Sequence, residues 1–280
     1  GPTLGGFLTD LLSWNWVFFV NIPLAGPVIF LLIKYFPDSS IESDPEKRRL
    51  DYVGMGLLVI SVVSFILGIS LGGVQYAWNA PQVIGLIMVG LLSAAVLIYV
   101  ELRVTNPVLA LRLFKERMVS VGLALTLLTG FAMFGAIIFV PLYFQGVLGA
   151  SATSSGTFLT PMMLGVVAGA SISGQVLSRT GGHFRIQGLL GIGVMALGVF
   201  LFSNLGSDSA YGMAVTFIII LGFGLGSTFP TLTLAVQNFT SPDTIGAATS
   251  LTQFARTIGG LIGLSALGSV LSTRFEDKLE

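Results

Sequence analysis

The chain has 280 residues, 54% hydrophobic and only 9% charged, and its 13 Lys plus Arg balance 13 Asp plus Glu. A soluble domain carries roughly 25% charged residues because its surface must be hydrated, so most of this surface faces lipid. Zero net charge offers no footing for a nucleic-acid or acidic partner, and the lack of Cys removes disulfides, thiolate metal sites, cysteine nucleophiles and palmitoylation.

A hydrocarbon core of about 30 Å takes on the order of 20 apolar residues per helix. Eight complete spans meet that length: 16–35, 52–73, 82–102, 119–144, 155–178, 186–204, 211–236 and 246–271, preceded by an apolar stub at 1–12. They are too long and continuous for barrel strands, which show about ten residues of alternating polarity. The expected fold is an all-α integral membrane protein with about eight full transmembrane helices plus a partial one. No signal peptide is visible. The chain opens on Gly1 within an apolar helix, without an initiator Met, and reads as a fragment of a longer protein.

Charge then sets the orientation. Lys34, Lys47, Arg48 and Arg49 flank or fill gap 36–50, Arg103, Arg112, Lys115 and Arg117 fill 103–118, and Arg179 and Arg185 bound 179–185. These are ten of the 13 cations, while gaps 74–81, 145–154 and 205–210 hold none. Cations on every second loop mark the cytoplasmic side of a polytopic protein. Loop 237–245 falls inside by alternation, although no cation supports it. Arg274 and Lys278 fall outside against the rule, so the tail is expected to be a loop leading to another span. The two long gaps divide the chain into the end of one bundle (1–36), a linker with a two-helix insert (37–118) and a second bundle (119–280) lacking its last helix. Asp51-Tyr52 marks where the insert enters the membrane, and Trp78 anchors its outer turn.

Glycine numbers 36, often at small-xxx-small spacing: Gly165 and Gly169, Ala170 and Gly174, and Gly259 and Gly263 each lie four apart. Bare faces let helix backbones approach in lipid, either as static packing or as surfaces that slide during transport. Gly222-Phe223-Gly224-Leu225-Gly226 imitates a nucleotide loop, but that fingerprint needs a strand before it and a helix opening after it. This run lies inside an apolar span, and no phosphate-loop Gly-Lys-Ser/Thr occurs, so no ATP-hydrolysing engine is expected. Pro141, Pro161 and Pro230 fall inside spans, where each removes a donor and kinks its helix. Such breaks serve packing or mark a transporter binding site.

Arg256 is the one charge read as fully intramembrane. Placing it at mid-bilayer costs roughly 2.5–3.5 kcal/mol, so it should face the bundle interior and have a partner, either as a structural pin or in coupling and gating. Asp10, Asp51 and Glu101 lie near span ends, where snorkelling or solvation accounts for them. With no Asp or Glu at mid-span, the proton-carrying carboxylate is expected outside this chain. Gln145 and Gln253 are amides in hydrocarbon and need a partner, protein or substrate. Phe131, Phe134, Tyr143, Phe144, Phe158 and Phe229 cluster with them in the later spans, and Met133, Met162 and Met163 add adaptable apolar surface. His183 has no second ligand nearby, so no metal site is expected. Asn238-Phe239-Thr240 is a glycosylation sequon on the predicted cytoplasmic side and should be unused.

Several stretches resemble a known family. Gly1-Pro2-Thr3-Leu4-Gly5-Gly6 resembles the end of the antiporter motif in the fifth helix of major facilitator superfamily exporters. Residues Ser13 to Pro23 (SWNWVFFVNIP) resemble the turn into helix six of the fourteen-helix drug:proton antiporters. Spans 52–73 and 82–102 match the central insert of that group, and Arg112-Leu113-Phe114, Pro141 to Gln145 and Arg256 to Gly260 are similar to further stretches of it. Gly174 to Arg185 is similar to the second copy of the cytoplasmic gating motif: Arg179, Gly181 and Arg185 fit, whereas Ser178 stands where that motif usually has an acid.

The resemblance implies an incomplete major facilitator fold, running from helix five to the loop after helix thirteen. It implies a monomeric, multi-pass plasma-membrane exporter of hydrophobic or cationic small molecules, driven by proton antiport and alternating access. Gly1, Pro2, Gly5 and Gly6 would pack against the second bundle and block leak. Phe134, Tyr143, Gln145 and Gln253 would line the substrate path, Arg256 and Gly174 would serve coupling or gating, and Arg179, Gly181 and Arg185 would latch the cytoplasmic side. Substrate, protons and the lipid bilayer are the implied partners, with no cofactor, no metal and no enzymatic activity. The alternatives are a carrier of sugars or organic anions on the same fold, against which the Gly-Pro motif argues, and a non-transporting membrane receptor.

Overall fold

The computed structural model describes residues 2–35, 51–73, 75–104, 108–109, 111–146, 152–206 and 210–279. Among them ten α-helices form: α1 (Pro2–Leu11), α2 (Trp16–Phe19), α3 (Asn21–Tyr35), α4 (Tyr52–Leu71), α5 (Pro81–Glu101), α6 (Arg117–Gly146), α7 (Ala152–Thr180), α8 (Phe184–Ser203), α9 (Tyr211–Asn238) and α10 (Ile245–Leu279). Eight segments are long and apolar enough to cross a membrane, and they coincide with the eight expected spans.

Two boundaries depart from expectation. Span 16–35 is interrupted at Val20, which separates α2 from α3. Pro23 has no N–H to give Phe19 O, and Asn21 Nδ2 instead donates to Val17 O and Phe18 O, both at 3.3 Å. Pro27 adds a further intrahelical proline in α3. The tail is not a loop: α10 continues unbroken to Leu279, because no Gly or Pro follows Gly268 to stop it.

Helices α6 to α10 form one bundle, in which α7 and α8 pack on α9, α10 packs on α6, and α6 also meets α9 and α7. Backbone-on-backbone approach dominates two of these seams. A Cβ on Gly165 would come within 2.6 Å of Ile219 O, and one on Gly169 would strike Phe223 O. From the other side, Gly222 and Gly226 face Met162 O and Val166 O. The run resembling a nucleotide loop is thus helix surface: Gly222 and Gly226 seat α7, and Gly224 seats Met195 of α8. Between α6 and α10, Gly259 and Gly263 sit against the backbone at Leu127 and Phe131, while Gly130 receives Arg256 O.

Two apolar cores close the ends of the bundle. Val140, Phe144, Leu159, Met162, Ala214 and Ile218 form one. Val119, Leu123, Val236, Ala248 and Leu251 form the other, with Leu109 and Leu113 packed on it. Phe239 shares a recess with Met118 and Phe184. Loop 237–245 therefore lies at the same end as Arg117 and Arg185, as alternation required.

Helices α4 and α5 form a hairpin that meets the bundle along α10. Ser70 and Ser265 place their hydroxyls 3.1 Å apart, and Trp78 folds its half-exposed ring over Gly72 and Gly73 at the hairpin turn. Asp51 caps α4, its Oδ1 accepting from Gly54 N at 2.8 Å. At the same foot, the expectation that solvation or snorkelling explains Glu101 fails. Glu101 is only 4% exposed, because the returning chain donates Val108 N and Leu109 N to its two carboxylate oxygens at 3.1 and 3.2 Å. Asp51 Oδ2 is also buried, without a partner, and both carboxylates border the bare Cα of Gly54.

Candidate functional site

The intramembrane cation sits where α6, α9 and α10 meet. Arg256 O is seated on Gly130 of α6, and its guanidinium lies over the Phe229 ring of α9, 4.5 Å from the centroid. One terminal nitrogen donates to Gln253 Oε1 at 2.5 Å, one helical turn back on α10. The expected partner is therefore an amide and an aromatic face, not an acid. Nε and Nη2 are buried without an acceptor. A guanidinium holding a positive charge in so apolar a wall retains strong attraction for any anion that enters.

The predicted lining residues do not converge. Gln253 faces Arg256, while the Phe134 ring fills the space above Gly260, about two turns further along α10. Tyr143 lies at the far end of α6, its hydroxyl donating to Gly206 O at 3.2 Å and its ring packed edge-on against Phe144 and Phe202 at 5.6 and 5.2 Å. Gln145 is exposed in the last turn of α6. Pro141, Pro161 and Pro230 are all intrahelical, in α6, α7 and α9. Met162 is fully buried in the core beside Tyr143, so it packs and does not line a path.

The gating-motif residues shape one turn. Gly181 and Gly182 take φ of +69° and +90°, and Gly182 N donates to Leu177 O at 3.2 Å, a Schellman closure of α7. His183 Nδ1 donates to Thr180 O at 2.8 Å, which uses the imidazole locally. Arg179 and Arg185 are exposed on either side of the turn. Ser178, standing in the acid's place, donates to Gln175 O of its own helix at 2.8 Å. Gly174 borders open space, so the Ala170 and Gly174 pair is not a helix seam here.

Gly1 lies outside the described residues, as do the side chains of Pro2, Gly6, Asp10 and Phe158. Helix α1 packs on α7, yet a Cβ on Gly5 would meet nothing. The close approach expected of that face is absent at Gly5.

One polar centre was not anticipated. Gln187 of α8 donates through Nε2 to Ser173 O and Ser173 Oγ, both at 2.8 Å, and Ser173 Oγ donates to Ser227 O at 2.9 Å and lies 3.0 Å from Thr231 Oγ1. This knot ties α7, α8 and α9 together and forms the polar side of a recess of about 590 Å³, whose apolar side is Ile172, Val176, Leu190 and Phe223. The signal was present, since Gln187 is an amide at the start of an apolar span, the argument applied to Gln145 and Gln253. A second apolar recess, of about 520 Å³, lies between α6, α8, α9 and α10 and is walled by Phe131, Phe139, Phe202 and Leu267. Both volumes fall in the range of small-molecule sites, roughly 300–1,000 Å³.

Comparison with known proteins agrees with this architecture. Multidrug transporter protein MdtP of Bacillus subtilis is 36% identical over 274 residues, 98% of this chain and 50% of that protein. Multidrug resistance protein 3 of the same organism is 35% identical over 279 residues, 100% of this chain and 54% of its own length. Efflux pump roqT of Penicillium rubens is 31% identical over 284 residues, covering 98% and 52%. The chain thus spans about half the length of the relatives it matches. The sequence model of the Major Facilitator Superfamily matches residues 1–264. With eight membrane-length helices, paired glycine seams and that match over nearly the whole length, the chain belongs to the Major Facilitator Superfamily of membrane transporters.

Proposed function

We propose that the protein exports apolar or cationic small molecules across the plasma membrane, exchanging them for protons by alternating access. The observation that carries this reading is the agreement, over 98–100% of the chain, with two bacterial proteins whose names state multidrug transport or resistance. Two recesses of 520–590 Å³ are large enough for small molecules; the smaller is lined wholly by apolar residues and supports substrates selected by size and apolarity, while the larger also presents Ser173, Thr180, His183, Gln187 and Ser227.

In this reading residues 1–36 end the first helix bundle, 37–118 form the linker and two-helix insert, and 119–280 form the second bundle. Protein working as a monomer would carry substrate between the bundles. Phe134, Tyr143, Gln145 and Gln253 mark levels along that path, not one pocket. The turn bearing Arg179, Gly181 and Arg185 latches the cytoplasmic end, and Arg256 couples substrate to the conformational change. Gly1, Pro2, Gly5 and Gly6 close the path against the second bundle when it is empty, in a conformation other than the present one, in which Gly5 has no close neighbour. The alternative is a carrier of sugars or organic anions on the same fold; a sugar site needs several convergent hydrogen-bonding side chains, and in the larger recess the Gln187 amide N–H and the Ser173 hydroxyl are already engaged with each other and with Ser227 O.

The test is ethidium accumulation in cells expressing the complete protein, with and without a protonophore. Lower accumulation on expression, reversed by the protonophore, is expected. Accumulation indifferent to both sinks the export reading.

A further inference from the structure

Arg256 has two kinds of neighbour and one edge buried without an acceptor. Its Nη1 donates to Gln253 Oε1 at 2.5 Å, and one face of the guanidinium lies on the Phe229 ring. Nε and Nη2 are buried with no acceptor. These two nitrogens are not scattered: Nε–H and the adjacent Nη2–H lie in the guanidinium plane along one edge, parallel to each other. That is the fork whose spacing matches the two oxygens of a carboxylate. Gln253 holds the opposite corner and Phe229 holds the plane, so the unpaired edge is fixed in orientation. No ion pair to Arg256 forms among the described residues. Asp51 and Glu101 stand together at the foot of the hairpin, occupied with Gly54 N and with Val108 N and Leu109 N, and Glu116 is exposed just before α6.

We propose that the Nε/Nη2 edge of Arg256 is a carboxylate-binding site, and that its ligand is the acid group of an aromatic or zwitterionic substrate. The inference rests on the export reading and extends its substrates from apolar molecules and cations to aromatic acids and zwitterions. In the present conformation both nitrogens are closed off. The acid reaches them only when the helices around Arg256 part at that level, so that binding is tied to a change of conformation. Phe229 then offers its face to the ligand's ring. The same fork would also accept the carboxylate of an acidic side chain of the protein, and the experiment separates the two sources.

Dansyl-phenylalanine and its methyl ester are titrated against the purified complete protein by dansyl fluorescence, for wild type, R256Q and R256K. Thermal unfolding of each variant is recorded alongside, as is ethidium efflux from cells. The expected result is acid bound at least tenfold tighter than ester, a loss of tenfold or more for the acid alone in R256Q, and partial recovery in R256K. Lysine keeps the charge but not the fork. Equal affinity for acid and ester, with both weakened in R256Q and both restored in R256K, assigns the carboxylate to the protein and overturns the substrate site. Acid affinity unchanged in R256Q, or both ligands weakened without recovery in R256K, overturns the proposal. Failure of ethidium efflux with acid binding intact would sink the export reading and leave this site standing.

Discussion

Gly259 presents its bare Cα to the carbonyl of Leu127, so an added methyl has no room unless α6 and α10 separate. Gly174, by contrast, borders open space. Gly259→Ala is expected to destabilise the bundle by about 1–3 kcal/mol, the usual range for overpacking a tight seam. Gly174→Ala should be neutral or slightly stabilising, since Ala is the better helix former. Thermal unfolding in detergent checks both, and equal midpoints for the two variants would contradict the seam. The four-residue spacing of Gly165 and Gly169 and of Gly259 and Gly263 announced a close face in the sequence, because it repeats on one side of a helix. Ala170 and Gly174 share that spacing and make no seam, because spacing reports a face and not what stands opposite. Glu101 illustrates the same gap. Its position at a span end was legible, but the two amides that bury it come from residues seven and eight further on, a pairing that no local pattern predicts.

The turn between α7 and α8 depends on two consecutive left-handed backbones. Gly181→Ala forces a Cβ into φ +69°, at about 1–2 kcal/mol, whereas Arg179→Ala removes an exposed side chain and leaves the turn intact. A lower unfolding midpoint for Gly181→Ala alone is the expected result. Limited proteolysis between α7 and α8 should be faster in that variant and unchanged in the other. Helix limits were readable to within a few residues because each long apolar run can satisfy its backbone only as a helix in lipid. The exceptions have local causes. Val20 interrupts a run where Pro23 withholds an N–H, and α10 outlasts its apolar stretch because its tail holds no breaker.

The alternation of basic and neutral loops assigns the Trp78 turn and the Lys115 turn to opposite faces of the membrane. A chain without Cys makes this directly measurable. Single cysteines in Trp78→Cys and Lys115→Cys should react with a membrane-impermeant maleimide from opposite sides of sealed cells. Reaction of both from one side would invalidate the orientation. Class and family were legible from hydropathy and a few short motifs, since lipid allows few folds. The site was less so. Arg256 and Gln253 were found as isolated polar residues in apolar spans, but their pairing with Phe229 needs the approach of α9 to α10, and the Gln187 knot needs three helices at once. The seam between α7 and α9 has one more implication. Each helix carries notches that house the other's carbonyls, at Gly165 and Gly169 on one side and Gly222 and Gly226 on the other. Rods keyed reciprocally cannot shift lengthwise by a turn without driving oxygen into side chain. They travel as one spar, and whatever flexing the bilayer imposes is taken up by their neighbours.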